Sequence, residues 1–264
     1  MQMILKYISR QFVNPKRYGV IFLIFCIMIN CIAQNIKVSD DIELIRLSPK
    51  AYLHVSVSEM EGFGKVSSNG LILVDNGQAF LFDTPATNGQ TQTLIAFIAD
   101  SLNAKVSGFV PNHWHNDCMG GLEYLNQQGV KSYAHEKTVE IAKKEGLPLP
   151  EQKFKDSLSL KLNNTVIDCY YLGSGHSSDN IVVWIPSEKI LFPGCMIKDI
   201  HSRTLGNTSE ANVDEWLKTI QKVIEKFPTA EIVIPGHGQV GGKELLVHTL
   251  NLLIEEFKKI SRKK

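Results

Sequence analysis

Apolar and polar residues alternate with period two through YLHVSVSEM (52–60) and again through SNGLILVDNGQAFLFDTP (68–85). That period puts successive side chains on opposite faces and predicts half-buried strands. Asp75, Asn76 and Gly77 interrupt the second run, which therefore reads as a hairpin of two strands around a tight turn. EGFGK (61–65) separates the two runs and flanks Phe63 with glycine. From residue 90 the period lengthens. TQTLIAFIADSL suits an amphipathic helix, and VSGFV (106–110) suits a buried strand. LEYLNQQG predicts a short helix, VKSYA a strand, and EKTVEIAKKEG (136–146) a helix ended by glycine. Strand patterns return in DSLSLKLNNTVIDCYYLG (156–173), DNIVVWIP (179–186) and KILFPGCMI (189–197). VDEWLKTIQKVIEKFP (213–228) is helical, EIVIPG (231–236) is a strand, and 243–260 is a last helix. Strands interleaved with helices occur twice without a break. The order predicts one α/β domain with helices outside two central sheets.

The N-terminus follows different rules. Basic residues precede an apolar run, YGVIFLIFCIMINCIA (18–33), that ends in small residues. This is the pattern of a secretory signal peptide, expected to span 1–33 and to be cleaved after Ala33, leaving a domain over 34–264. A lipid anchor on Cys31 is the alternative. Export to the periplasm follows from either. Lys6, Arg10, Lys16 and Arg17 carry all the charge of that segment, so the chain's 28 basic and 27 acidic side chains become 24 and 27 without it. A mildly acidic body gives no footprint for nucleic acid. Three cysteines remain, Cys118, Cys169 and Cys195. An odd number in an exported chain argues against a disulfide framework and leaves a thiol for other chemistry. Nothing in the sequence points to an oligomer or to a stable membrane partner after signal removal, so a monomer is expected.

Candidate chemistry concentrates in four loops. PNHWHNDCMGG (111–121) sets His113, His115 and Asp117 on alternate positions. In an extended loop the two histidines face the same way and can share one ion, while Asp117 can reach an adjacent one. GSGHSSDN (173–180) presents His176, FPGCMIK (192–198) presents Cys195, and IPGHGQVGG (234–242) presents His237. Each follows a strand and has glycine within two residues. Six nitrogen, oxygen and sulfur ligands divide into two metal sites. His54, His135, His201 and His248 lack this context and read as structural; Cys169 reads as core and Cys118 as packing beside the ligands. A serine nucleophile has no support, because no G-x-S-x-G motif is present.

In these motifs, together with LGN (205–207), the chain resembles the metallo-β-lactamases, specifically the subclass with a cysteine ligand at its second zinc and its broad-spectrum, carbapenem-hydrolysing members. The resemblance runs over nearly the whole mature chain. It implies a four-layer αββα sandwich with the metal site at one edge of the two sheets, and two Zn²⁺ per chain. By matching position, His113, His115 and His176 would hold the first zinc, and Asp117, Cys195 and His237 the second. Lys198 would bind the substrate carboxylate, Asn207 would orient the lactam carbonyl, and Phe63 would sit in a flap over 59–66. Asp117 and Asn207 would thus be the catalytic pair. The implied activity is hydrolysis of the β-lactam ring of penicillins, cephalosporins and carbapenems, without an acyl-enzyme. Cys118 departs from the arginine that many members place there. Two rivals stand beside this reading. A thioester, phosphodiester or lactone hydrolase of the same superfamily would place histidine at 118 and aspartate at 195. A zinc-storing protein would need closed four-ligand shells.

Overall fold

The computed structural model describes residues 35–60 and 62–262. The expected signal peptide, with Cys31, lies outside the described residues. An eight-stranded sheet contains β1 (Asn35–Lys37), β2 (Ile42–Arg46), β3 (Ala51–Met60), β4 (Gly64–Asp75), β5 (Gln78–Phe82), β6 (Lys105–Val110), β7 (Lys131–His135) and β8 (Gln152–Phe154), in that spatial order. The first five strands pair antiparallel and the last three add in parallel. A parallel addition needs a crossover. Here α1 (Asn88–Ser101) supplies the first, the short α2 (Asn116–Met119) and α3 (Leu122–Gln127) the second, and α4 (Glu136–Glu145) the third. The second sheet is a meander of β9 (Ser157–Leu162), β10 (Thr165–Tyr170), β11 (Val182–Ile185) and β12 (Ile190–Gly194). After α5 (Val213–Lys226), β13 (Ile232–Pro235) joins β12 in parallel, and α6 (Glu244–Arg262) follows.

Period-two alternation sorts the apolar side chains into three layers of contact. Leu71, Leu73, Phe80 and Phe82 of the first sheet meet Val183, Ile185, Ile190 and Phe192 of the second, all buried. The intervening residues Ile72, Ala79 and Leu81 face outward against Leu94 and Ile98 of α1 and Leu122 of α3. On the far side, Val182, Leu191 and Val233 pack under Trp216, Ile220 and Val223 of α5 and Leu246 and Leu253 of α6. Helix, sheet, sheet and helix stack in that order, so the αββα arrangement holds. Among the described residues no helix is long and apolar enough to cross a membrane.

The hairpin expected around Asp75–Asn76–Gly77 is present, with Asp75 opposite Gln78. Three expectations shift. The strand expected over 189–197 ends at Gly194, whose left-handed backbone (φ 56°) turns the chain out of the sheet. The helix expected to 228 ends at Lys226: Phe227 turns into the core and Pro228 disfavours helical backbone before it. In the first metal-motif loop, alternation holds only for His113 and His115. His115 caps α2, so Asp117 is delivered by a helical turn.

Candidate metal centre and its cleft

The four loops converge at one edge of the sandwich, where two buried asparagines stitch the sheets together. Asn112, after β6, donates through Nδ2 to the Ile181 carbonyl (2.9 Å), and Ile181 N–H donates back to the Asn112 carbonyl (3.0 Å). Asn69 of β4 donates to the carbonyls of Pro235 and Gly238, both at 2.9 Å. A one-residue slip in either sheet would separate ligands that come from both.

The six expected ligands form two adjacent triads. His113 Nε2 lies 2.9 Å from His115 Nδ1, which lies 3.3 Å from His176 Nε2. The three rings stand edge-on to one another, with centroids 4.5–5.2 Å apart. Tetrahedral zinc, about 2.0–2.1 Å from each nitrogen, would hold such atoms roughly 3.3 Å apart. In the second triad, His237 Nε2 is 3.2 Å from Asp117 Oδ2 and 3.3 Å from Cys195 Sγ, and Cys195 Sγ is 3.8 Å from Asp117 Oδ2. One borderline-soft ion accepts nitrogen, carboxylate and thiolate together, so both donor sets fit zinc.

Neighbouring groups prepare these donors. Burial holds His113 and His176 well towards the neutral form, the state that ligates. Cys195 is pushed well below the usual thiol range, first by a hydrogen bond from Cys118 and then by His237. His237 is raised to about 11, chiefly by the Cys195 thiolate. Each group thus favours the charged form of the other, and His237 must give up its Nε2 proton to ligate. His237 Nδ1 lies 2.8 Å from the Ser67 carbonyl, which aims Nε2 inward. Gly236 is needed here by contact: a Cβ on it would fall 2.3 Å from Cys195 Sγ. Cys118 is buried, with Sγ 3.2 Å from His113 Nδ1, and its sulfur also groups with His113 and Asp117 closely enough to hold an ion.

A cleft of about 360 Å³ opens beside both triads, lined by Phe63, Val66, Trp114, Lys198 and Asn207 together with the ligands His115, Asp117, His176 and His237. The Lys198 backbone N–H donates to Thr249 of α6 (2.9 Å), and its Nζ lies 5.5 Å from the Trp216 ring centre. Burial lowers the pKa of its ammonium, with Cys195 and Asp117 opposing that shift. Asn207 lines the cleft, and its Oδ1 accepts from the Ser209 N–H (3.0 Å). Phe63 stands at the rim, 65% exposed. Of the expected site residues, His113 and Cys195 are buried and the others line this cleft. The four histidines read as structural lie elsewhere, and Cys169 is core.

Two acids escaped the sequence reading. Asp83, directly after β5, is fully buried, accepts from the Asn112 N–H at 2.5 Å and is raised well above the usual carboxylate range by burial. Its place at the end of a strand was the available signal. Glu210 lies 3.2 Å from His115 and lacks any motif.

The sequence pattern of the metallo-beta-lactamase superfamily matches residues 63–237. A metallo-beta-lactamase type 2 of Bacteroides fragilis is 51% identical over 229 residues, covering 87% of this chain and 92% of that one. The solved metallo-beta-lactamase of Pontibacter korlensis superposes with a TM-score of 0.77 at 36% identity, over 81% of this chain and 99% of that one. FIM-1 of Pseudomonas aeruginosa, solved in a mono-zinc form, does so with a TM-score of 0.75 at 31% identity, over 83% and 99%. The chain belongs to the metallo-beta-lactamase superfamily.

Proposed function

We propose that this protein is a zinc-dependent β-lactamase that holds two zinc ions, the first on His113, His115 and His176 and the second on Asp117, Cys195 and His237. One observation carries the reading: two ligand triads with zinc-compatible spacing lie side by side, and four of their members line a cleft with Lys198, Asn116 and Asn207. When bound, zinc supplies a nucleophile at neutral pH and a Lewis acid. Lys198 binds the substrate carboxylate as a fixed cation whose backbone is anchored to α6. Asn207 donates from Nδ2 to the lactam carbonyl, its amide oriented by Ser209. Asp117 presents its carboxylate to the cleft floor beside the reacting bond. Phe63, Val66 and Trp114 supply apolar walls that exclude water around the amide. Three protein ligands per ion leave positions for chemistry, which favours catalysis over storage.

The substrates in this reading are penicillins, cephalosporins and carbapenems, and monobactams are turned over poorly. The chain acts as a monomer, exported to the periplasm on the segment 1–33. Purified protein should hydrolyse nitrocefin, stop in dipicolinate and recover on adding zinc, with metal analysis giving two zincs per chain. Undiminished hydrolysis in the chelator would overturn the proposal.

A further inference from the structure

Glu210 belongs to neither triad, yet a single oxygen of its carboxylate meets two residues of the metal loop. Oε2 accepts from Trp114 Nε1–H at 3.1 Å and lies 3.2 Å from His115 Nε2. His115 uses its other nitrogen, Nδ1, to face His113 and His176. A carboxylate at Nε2 favours the tautomer with hydrogen on Nε2 and leaves Nδ1 as the bare donor. Trp114 packs edge-on against His115, with ring centres 4.7 Å apart, so one acceptor fixes two adjoining rings.

The segment carrying Glu210 is held at both ends. Leu205 is buried in the core beneath α5 and α6, and Asn212 caps α5 by accepting from the Glu215 N–H at 3.1 Å. Between these anchors stand Asn207, which lines the cleft, and Glu210, which meets Trp114 and His115. The Asn207–Ser209 hydrogen bond and the Ala211 N–H to Thr208 carbonyl bond (3.1 Å) make the segment a compact turn. A pull on Glu210 is therefore transmitted to Asn207.

We propose that Glu210 is a positioning residue that orients His115 for the first metal and clasps the Asn207 loop to the metal loop, so that metal occupancy and the geometry of the carbonyl-binding amide are coupled. This rests on the zinc-hydrolase reading above. Glu210 touches no substrate in it.

The test compares the parent with Glu210→Ala and Glu210→Gln. Glutamine keeps an acceptor oxygen for both donors and is the conservative control. The side chain of Glu210 is 44% exposed, so the alanine variant should fold, which the melting curve of the metal-free protein checks. Zinc affinity is read by competition with a chromophoric chelator, independently of turnover. Glu210→Ala should lose about tenfold or more at the first site, while Glu210→Gln stays near the parent. In the metal-free proteins, a protected Nε2–H proton on His115 should appear by nitrogen–proton NMR in the parent and Glu210→Gln, and be lost in Glu210→Ala. With zinc saturating, KM for a cephalosporin should rise in Glu210→Ala more than kcat falls. A parent that binds no zinc would sink the enzyme reading itself. A parent that binds zinc, beside a Glu210→Ala with unchanged first-site affinity and an unchanged His115 proton, would overturn the clasp alone.

Discussion

Cys195 and Lys198 lie three residues apart and do unlike things, which makes them separable. Cys195 Sγ belongs to the second triad, and a thiol of this character favours a metal over water as its partner. Serine keeps the size but not the readily deprotonated soft donor. Cys195→Ser should lower affinity for the second zinc, leave the three-histidine site loaded and slow turnover at saturating substrate. Lys198 touches neither triad, so Lys198→Ala should keep both zincs and raise KM. The loss should be about 1.5–3 kcal/mol for substrates whose carboxylate it pairs with. Metal analysis beside steady-state kinetics decides it; a Lys198→Ala protein short of one zinc would contradict these roles. The six ligands were legible because chemistry restricts their types and because His176, Cys195 and His237 each have glycine beside them. Glu210 was not, since an acid in a polar loop is the commonest surface residue, and only folding brings it to His115.

At the scale of the element, the β3–β4 hairpin is the part of the cleft expected to move. Its tip pairs Met60 with Gly64, both Gly62 and Gly64 have positive φ, and Phe63 projects beyond any packing partner in the core. Amide exchange over 59–66 should be fast in the free protein and slow with an inhibitor bound; equal protection in both states would refute a closing flap. Phe63→Ala should raise KM more than it lowers kcat, because an apolar ring at the rim binds substrate and transition state alike. This hairpin was readable from two long alternating runs around EGFGK. Strand β2 was not. Ile42 and Leu44 are buried, but a five-residue stretch after Asp40 and Asp41 is too short for its period to stand out. The three residues of β8 are shorter still and owe their strand to β7 beside them.

For the whole molecule, acid is a lever. His54 is fully buried in β3, with Nε2 3.1 Å from the Asp83 carbonyl and Nδ1 unpartnered. Burial lowers its pKa from 6.5 to about 4. The unfolded chain therefore takes up a proton between those values that the fold refuses, and stability falls as pH drops from 6.5 towards 4. The contribution is on the order of 3 kcal/mol. Urea unfolding of the metal-free protein at pH 7 and pH 4.5 should show a smaller drop for His54→Gln than for the parent. Equal drops would assign the acid sensitivity to other groups. The layered fold was legible because alternation and helical period fix which faces are apolar; the strand order was not, because pairing partners are chosen by tertiary contact. That order also sets a timetable. The metal ligands begin at His113 and end at His237, after β13, and the Lys198 backbone waits for Thr249 still further on. A chain emerging from a ribosome has its three-histidine triad by His176 but lacks the second triad and the Lys198 anchor until His237 and Thr249 have followed.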